Sequence, residues 1–251
     1  TEERHASSIV RGFARTGALD SAVSVFKRLK VSGRGLSLLA HNCLLEAFVA
    51  RGDAAGALAH FEEMQHAHCV DVVSYNTLLK THLSSGSPDE AERLLQDMSA
   101  RGVRANRVTY NEFLHSRVLA KDPAGAWRIL DQMRSANIEV NAVTCAILLK
   151  SLTGHPSARD VRRVLELVLQ AEVDDVLLSC VVEACNRLKN LDPLSQLLTR
   201  LPRLPPTLSA PSLGPMIKSY GQVGDLERVR GLWKQMFARG LTPGHVTFGC
   251  M

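Results

Sequence analysis

The sequence predicts an all-α fold, an α-solenoid. About seven 35-residue helix-turn-helix repeats, and a truncated eighth, are expected to wind into a right-handed superhelix. Three observations predict this. Residues 72–79 read VVSYNTLL and residues 107–114 read RVTYNEFL, nearly the same word thirty-five residues apart, and a fixed period of that size marks a repeat architecture. An apolar frame continues from Ile9 to Trp233. Glycines punctuate that frame where paired helices would have to turn.

The first helix of each unit is marked by an apolar pair. The pairs are Ile9-Val10, Leu44-Leu45, Leu78-Leu79, Phe113-Leu114, Leu148-Leu149, Val181-Val182 and Met216-Ile217. The second helix opens on Ala22, Ala57, Ala91, Ala126, Val161, Leu194 and Val229. Four residues on come Phe26, Phe61, Leu95, Leu130, Leu165, Leu198 and Trp233, and three further on Leu29, Met64, Met98, Met133, Val168, Leu201 and Met236. Spacings of four and three trace one face of an α-helix. Gly17, Gly52, Gly86 and Gly224 mark the turn between the helices, with Pro88 in the helix-opening position that proline tolerates. Gly33, Gly102 and Gly240 stand where a helix stop is expected.

The units expected are 3–37, 38–71, 72–106, 107–141, 142–174, 175–209 and 210–244, with an eighth cut off from His245 to Met251. No helix pair can bury its apolar stripe alone, so neighbours stack, and residues 1–251 are expected to form one array. The stretch RLPRLPPTLSAPSLGP resembles a linker, yet the frame passes through it unshifted. It reads as an irregular inter-helix turn stiffened by Pro202, Pro205 and Pro206.

Composition excludes several classes. Aromatics are 5% of the chain, so the core is expected from Leu, Val, Ile, Ala and Met. No apolar run reaches the ~18 residues of a spanning helix, so no membrane partner is expected. The six cysteines form no CxxC pair, which favours buried free thiols over a disulfide framework. The opening TEERHASS has neither an initiator Met nor a leader, and the sequence is expected to be a piece of a longer protein. The net charge is +5, compatible with a polyanionic partner. Residues 1–37 hold seven Lys/Arg against three Asp/Glu and residues 201–251 six against two, while the middle is slightly acidic.

Catalytic and metal sites are not expected. His66, His68 and Cys69 of QHAHC lie close in sequence but lack a fourth ligand. Cys180, Cys185 and the methionines 64, 98, 133 and 236 read as core. No phosphate loop, nucleophile elbow or carboxylate pair occurs, so no enzyme, cofactor or small-molecule substrate is expected.

One pattern remains. Asn76 precedes Leu78-Leu79, and Lys80 follows it by four residues on the same helix face. Asn111 and His115, Asn42 and Glu46, Ser7 and Arg11, Ala146 and Lys150, and Gly214 and Lys218 repeat that geometry. Stacking would align these positions in a stripe, and Asn carries both an acceptor and a donor, which suits a base edge. An isolated Asn could merely be solvated surface or begin a helix. Three at one phase, each in a unit that closes on Asn or Asp, argue against that.

The words VVSYNTLL and RVTYNEFL, the endings LLQDMSARGVRAN and LLKTHLSSG, and the 35-residue frame resemble the pentatricopeptide repeat family. The resemblance covers residues 3–251, although AVTCAILL and VLLSCVVE of units 142–174 and 175–209 lack the Tyr-Asn word. The tetratricopeptide repeat has a 34-residue period and a Trp-Leu-Gly-Tyr pattern that no unit shows.

The resemblance implies single-stranded RNA as ligand, one base per repeat, with the processing, stability, editing or translation of mitochondrial or chloroplast transcripts as the setting. It implies that the fifth and last residues of a unit choose the base. Those pairs are Ser7 with Ser37, Asn42 with Asp71, Asn76 with Asn106, Asn111 with Asn141, Ala146 with Asp174, Ser179 with Ser209, and Gly214 with Gly244. Asn with Asp then favours uracil, Asn with Asn cytosine over uracil, and Ser with Ser a purine; Val73 and Val108 would pack on base faces. Arg11, Lys80, Lys150 and Lys218 share the readers' phase and are expected to contact phosphate. Other proteins of RNA processing are possible partners. The alternative function is a helical scaffold that binds proteins, separable from RNA binding by its salt dependence.

Overall fold

The computed structural model describes residues 8–13, 16–31, 36–152, 157–200 and 209–244. Among these residues every regular element is an α-helix. Ser7, Gly33, Leu201, the prolines 202, 205 and 206, and His245–Met251 lie outside them.

The helices run in pairs. Residues 8–13 (α1) precede α2 (Leu19–Val31), then α3 (Leu38–Ala50) and α4 (Ala54–His66), α5 (Val72–Ser84) and α6 (Pro88–Ala100), α7 (Arg107–Leu119) and α8 (Pro123–Ser135). There follow α9 (Ala142–Ser151) and α10 (Ala158–Gln170), α11 (Asp175–Leu188) and α12 (Asp192–Arg200), α13 (Ala210–Gln222) and α14 (Leu226–Ala238). They group into two compact units, Thr1–Ser116 and Arg117–Met251. Within the first, α3 packs on α5; within the second, α9 packs on α11 and α11 on α13. Within each unit these first helices lie side by side, and α3, α5, α9, α11 and α13 are each backed by the second helix of their pair.

The turns explain the glycine spacing. Gly17, Gly52, Gly86 and Gly224 have φ between 74° and 77°, a left-handed backbone that costs glycine nothing. Lys121 and Lys189 occupy the same place in their repeats with φ of 54° and 50°. His68 and Asn137 take the left-handed form at the turn after the second helix, at 52° and 55°.

Most of the apolar frame is buried. Tyr75, Leu78, Met64 and Met98 are at most 1% exposed and pack with Leu45, Ala57 and Phe61. Several frame residues are not buried, Leu29, Leu95 and Trp233 of the regular repeats among them. Ile9 is exposed beside buried Val10, and Val161, Leu165 and Leu198 are half-buried. Val164, Leu167 and Leu197 are buried in their stead. Val168 is buried where the frame puts it.

Polar groups are also spent between helices. Asp97 accepts from Tyr75 Oη at 2.6 Å, Gln65 Nε2 at 2.8 Å and Arg101 Nε at 3.0 Å. In the second unit Trp127 Nε1 donates to Asp160 at 2.8 Å while Arg163 covers the indole ring at 3.9 Å.

Candidate functional site

In five repeats the last residue caps the first helix of the next, while Ser209 gives α13 no side-chain cap. Asp71 Oδ1 accepts from the backbone N–H of Val73 and Ser74 at 3.1 and 2.9 Å. Asn106 Oδ1 accepts from Val108 and Thr109 at 2.9 and 3.1 Å. Asn141 Oδ1 accepts from Thr144 at 3.1 Å, Asp174 Oδ1 from Leu177 at 2.7 Å, and Ser37 Oγ from Ala40 at 3.3 Å. A capping side chain satisfies helix N–H groups that have no partner within the helix.

The fifth residue of the same repeat reaches that cap. Asn42 Nδ2 donates to Asp71 Oδ1 at 3.2 Å, and Asn76 Nδ2 donates to Asn106 Oδ1 at 3.3 Å. Residues 29 and 30 positions apart in the chain thus share one oxygen. Because N–H groups can bond only to oxygen, the Asn106 amide has one orientation: Oδ1 faces the helix and Nδ2 faces away. In Asp71 the end facing away is Oδ2. The two repeats therefore display opposite chemistry, a carboxylate acceptor at Asp71 and an amide donor at Asn106.

Asn42 is 7% exposed and Asn111 9%, so these amides sit beneath the surface. Asn42 Oδ1 takes no hydrogen bond, whereas Asn76 Oδ1 accepts from Thr109 Oγ1 at 2.7 Å. Ser74 stands where Thr109 stands in the next repeat, but its hydroxyl bonds to the Asp71 carbonyl at 2.8 Å.

Val73 and Val108 are 44% and 51% exposed at the second position of their repeats. Leu39, Val143 and Val176 hold the same position and are 48%, 54% and 66% exposed. The sequence reading missed these three, although counting two residues into each unit would have found them. Each is an exposed apolar side chain that water disfavours. Arg11, Lys80, Lys150 and Lys218 are all exposed.

The degenerate repeats depart from this arrangement. Ala146 has no polar side chain to offer Asp174. Gly214, fifth in its repeat, is buried. Ser179 and Ser209 do not bond to each other: Ser179 Oγ meets Ser212 Oγ at 2.8 Å, and Ser209 Oγ donates to Asp175 at 2.8 Å. A hydroxyl is too short to span the gap that Asn76 spans.

The other candidate groups form no site. Among the described residues no cluster of three or more His, Cys, Asp or Glu could hold a metal, and no helix is long and apolar enough to cross a membrane. His66 and His68 are exposed, and Cys69 is half-buried. Burial pushes the Cys145 and Cys185 thiols up to about 12 and about 11, so both stay protonated.

Models described as PPR repeat family, pentatricopeptide repeat domain and PPR repeat match residues 70–118, residues 24–84, and residues 5–34 and 213–241. A mitochondrial pentatricopeptide repeat-containing protein of Arabidopsis thaliana is 26% identical over 104 residues, 40% of this chain and 25% of its own length. A chloroplastic one from the same plant is 27% identical over 92 residues, 36% of this chain and 12% of its own. This chain thus spans at most about a quarter of these two relatives.

Among solved structures, PPR10 in complex with an 18-nucleotide psaJ RNA element aligns with a TM-score of 0.62 at 21% identity. That alignment covers 99% of this chain and 35% of PPR10. The PPR domain of Arabidopsis thaliana protein-only RNase P 1, in complex with tRNA, aligns with a TM-score of 0.57 at 17% identity over 74% of this chain. Both likenesses are of fold. With repeat models matching residues 5–118 and 213–241, more than half of its length, the chain belongs to the pentatricopeptide repeat family.

Proposed function

We propose that the chain binds single-stranded RNA, one base per repeat, and acts on organelle transcripts in their processing, stability, editing or translation. The observation that carries the reading is the shared cap. Asn42 with Asp71 and Asn76 with Asn106 hold the closing residue rigid and fix which end of it faces out.

The chemistry follows from that orientation. Asp71 turns out an oxygen that only accepts, which matches the ring N–H of uracil. Asn106 turns out an N–H donor, which matches the ring nitrogen of cytosine. Asn141 caps in the same sense as Asn106. The target of repeats 38–71, 72–106 and 107–141 is 5′-U-Y-Y-3′, Y being a pyrimidine, with cytosine preferred at both Y positions. Leu39, Val73, Val108, Val143 and Val176 supply apolar surface for base faces, in the manner of stacking platforms. The exposed Arg11, Lys80, Lys150 and Lys218 contact phosphates, and repeats 142–174 and 210–244 discriminate little.

Three names support the setting: two relatives are called mitochondrial and chloroplastic, and PPR10 is solved with RNA. The deciding experiment is Asn106→Asp. It should move the preference at the second base of the target from cytosine towards uracil, measured on oligonucleotides varied at that base alone. An unchanged preference would mean that Asn106 does not read it.

A further inference from the structure

Within the second unit, α8 and α10 end differently. After α8 the chain makes a left-handed turn at Asn137, with φ of 55°, and Ile138 N–H donates back to the Met133 carbonyl at 3.0 Å. Such a turn folds the chain over the end of its own helix. α10 has none: Ala171 leaves it extended, with φ −79° and ψ 153°, and residues 171–174 run straight into α11. A cleft of about 660 Å³ lies between the folded-back loop and the bare end of α10. Its floor is apolar, from Ile138, Val140, Leu167 and Ala171, and the exposed Arg134 and Gln170 stand at its rim. Glu139 also lines it but has a polar interaction of its own.

The two helices carry spare positive charge. Arg134 of α8 and Arg159 and Arg162 of α10 are exposed and form no ion pair among the described residues. Most of the neighbouring acids are committed. Asp131 lies 3.9 Å from Arg163, and Asp160 accepts from Trp127 Nε1 and Ser157 Oγ at 2.8 and 2.7 Å. Glu166 is the one exposed carboxylate of α8 and α10 without an ion pair among the described residues. Trp127, the only aromatic residue of these helices, is half-buried with Arg163 over its ring at 3.9 Å. The face therefore offers cations and an apolar cleft, but no open ring on which a base could stack.

We propose that the ends of α8 and α10 form a docking site for an acidic amphipathic helix of a protein partner. An aliphatic side chain of that helix fills the cleft over Leu167 and Ala171, as one anchor does in helix-in-groove recognition. A carboxylate beside it takes the Arg134 guanidinium, whose planar fork suits two-point contact with a carboxylate. Arg162 lies eight residues before Gln170, about 12 Å along α10. A second carboxylate about two turns from the anchor meets it there. The site lies on second helices, whereas the base readers lie on first helices, so it stands apart from the RNA-binding reading.

The test uses the full chain and a panel of synthetic helical peptides with one leucine among glutamates. Matched peptides carry lysine for glutamate, or serine for leucine. The acidic leucine peptides should bind more tightly than either counterpart in fluorescence anisotropy. Arg134→Glu should weaken them about tenfold, the scale of one charge-assisted hydrogen bond. Arg162→Glu, on the exposed face of α10, should weaken them in the same sense. Ala171→Phe fills the cleft and should make leucine and serine peptides bind alike. Thermal melts identify any loss through misfolding. The assignment is overturned if no acidic leucine peptide binds better than its lysine and serine counterparts. It is overturned equally if folded Arg134→Glu and Arg162→Glu proteins bind these peptides as the wild type does, or if folded Ala171→Phe keeps the leucine preference. If the two arginine variants weaken single-stranded RNA as much as peptide, the face serves nucleic acid and the assignment falls as well.

Discussion

Thr109 Oγ1 donates to Asn76 Oδ1 at 2.7 Å, so a hydroxyl in α7 fixes the amide of α5 from the neighbouring repeat. Replacing Thr109 by Val keeps the shape and removes the donor. The amide oxygen of Asn76 then lacks its partner, at a cost of about 1 kcal/mol in stability. Base discrimination by repeat 72–106 should fall, while that of repeat 38–71 stays the same. Urea unfolding and binding to oligonucleotides varied at each base would show both effects. Equal discrimination in the variant and the wild type would mean that the hydroxyl has no part in positioning Asn76.

The repeated word carried more than its period. Tyr75 is invisible to solvent, yet its hydroxyl reaches Asp97 at 2.6 Å; the Asn beside it reaches the next repeat's cap. The phase of Asn76 on its helix face was legible, but neither contact could be read from it, because each partner lies more than twenty residues away. The misplacements also have physical causes. Val164 and Leu167 are buried where Val161 and Leu165 were expected because residues three and four apart share one helix face, and spacing alone does not say which of them turns inward. The contact of Asp175 with Ser209 was illegible because a helix-opening Asp ordinarily faces water. Leu39, Val143 and Val176 were legible from the frame and were overlooked because their words lack Tyr-Asn.

Two lysines hold the backbone where other repeats use glycine. Lys121 and Lys189 have φ of 54° and 50°, at the place where Gly52 and Gly86 have 75° and 76°. A left-handed backbone costs a residue with a Cβ about 1 kcal/mol. Lys121→Gly and Lys189→Gly should each raise stability by roughly that amount, less the entropy glycine adds to the unfolded chain. A urea titration with an unchanged slope would measure it. A fall in the midpoint would show that the lysine side chains contribute more than the strain they cause.

Lys80, Lys150 and Lys218 are exposed at one phase of three first helices. If they contact phosphate, replacing each by Glu should weaken all RNA sequences alike. Each loss should also flatten the dependence of log affinity on log salt by about 0.7, the single-strand value per phosphate. Fluorescence titrations from low to high salt would show it. Weakening confined to certain bases would make these residues readers instead.

The last prediction concerns two buried histidines. His41 and His60 stack with ring centres 5.3 Å apart, and Phe26 stands edge-on to both at 4.9 and 5.2 Å. His41 Nδ1 is buried without a hydrogen bond, and His60 Nε2 lies 3.2 Å from the His41 carbonyl. Burial, reinforced by the neighbouring His60, lowers the His41 pKa to about 4, and burial also lowers that of His60. The ion pair of Lys30 and Glu63 faces the same cluster and only partly offsets that. In the unfolded chain both imidazoles take up protons near the ordinary value of about 6.5. Between that pH and about 4 the unfolded state therefore binds more protons than the folded one. Stability should be full above 6.5, fall as pH drops through this window, and lose on the order of 3 kcal/mol to His41 by its lower end. His41→Phe should flatten that slope, though it need not match the wild type in stability at neutral pH. Urea midpoints at pH 7 and pH 5 for the two proteins would decide it. Equal losses in both would place the acid sensitivity elsewhere.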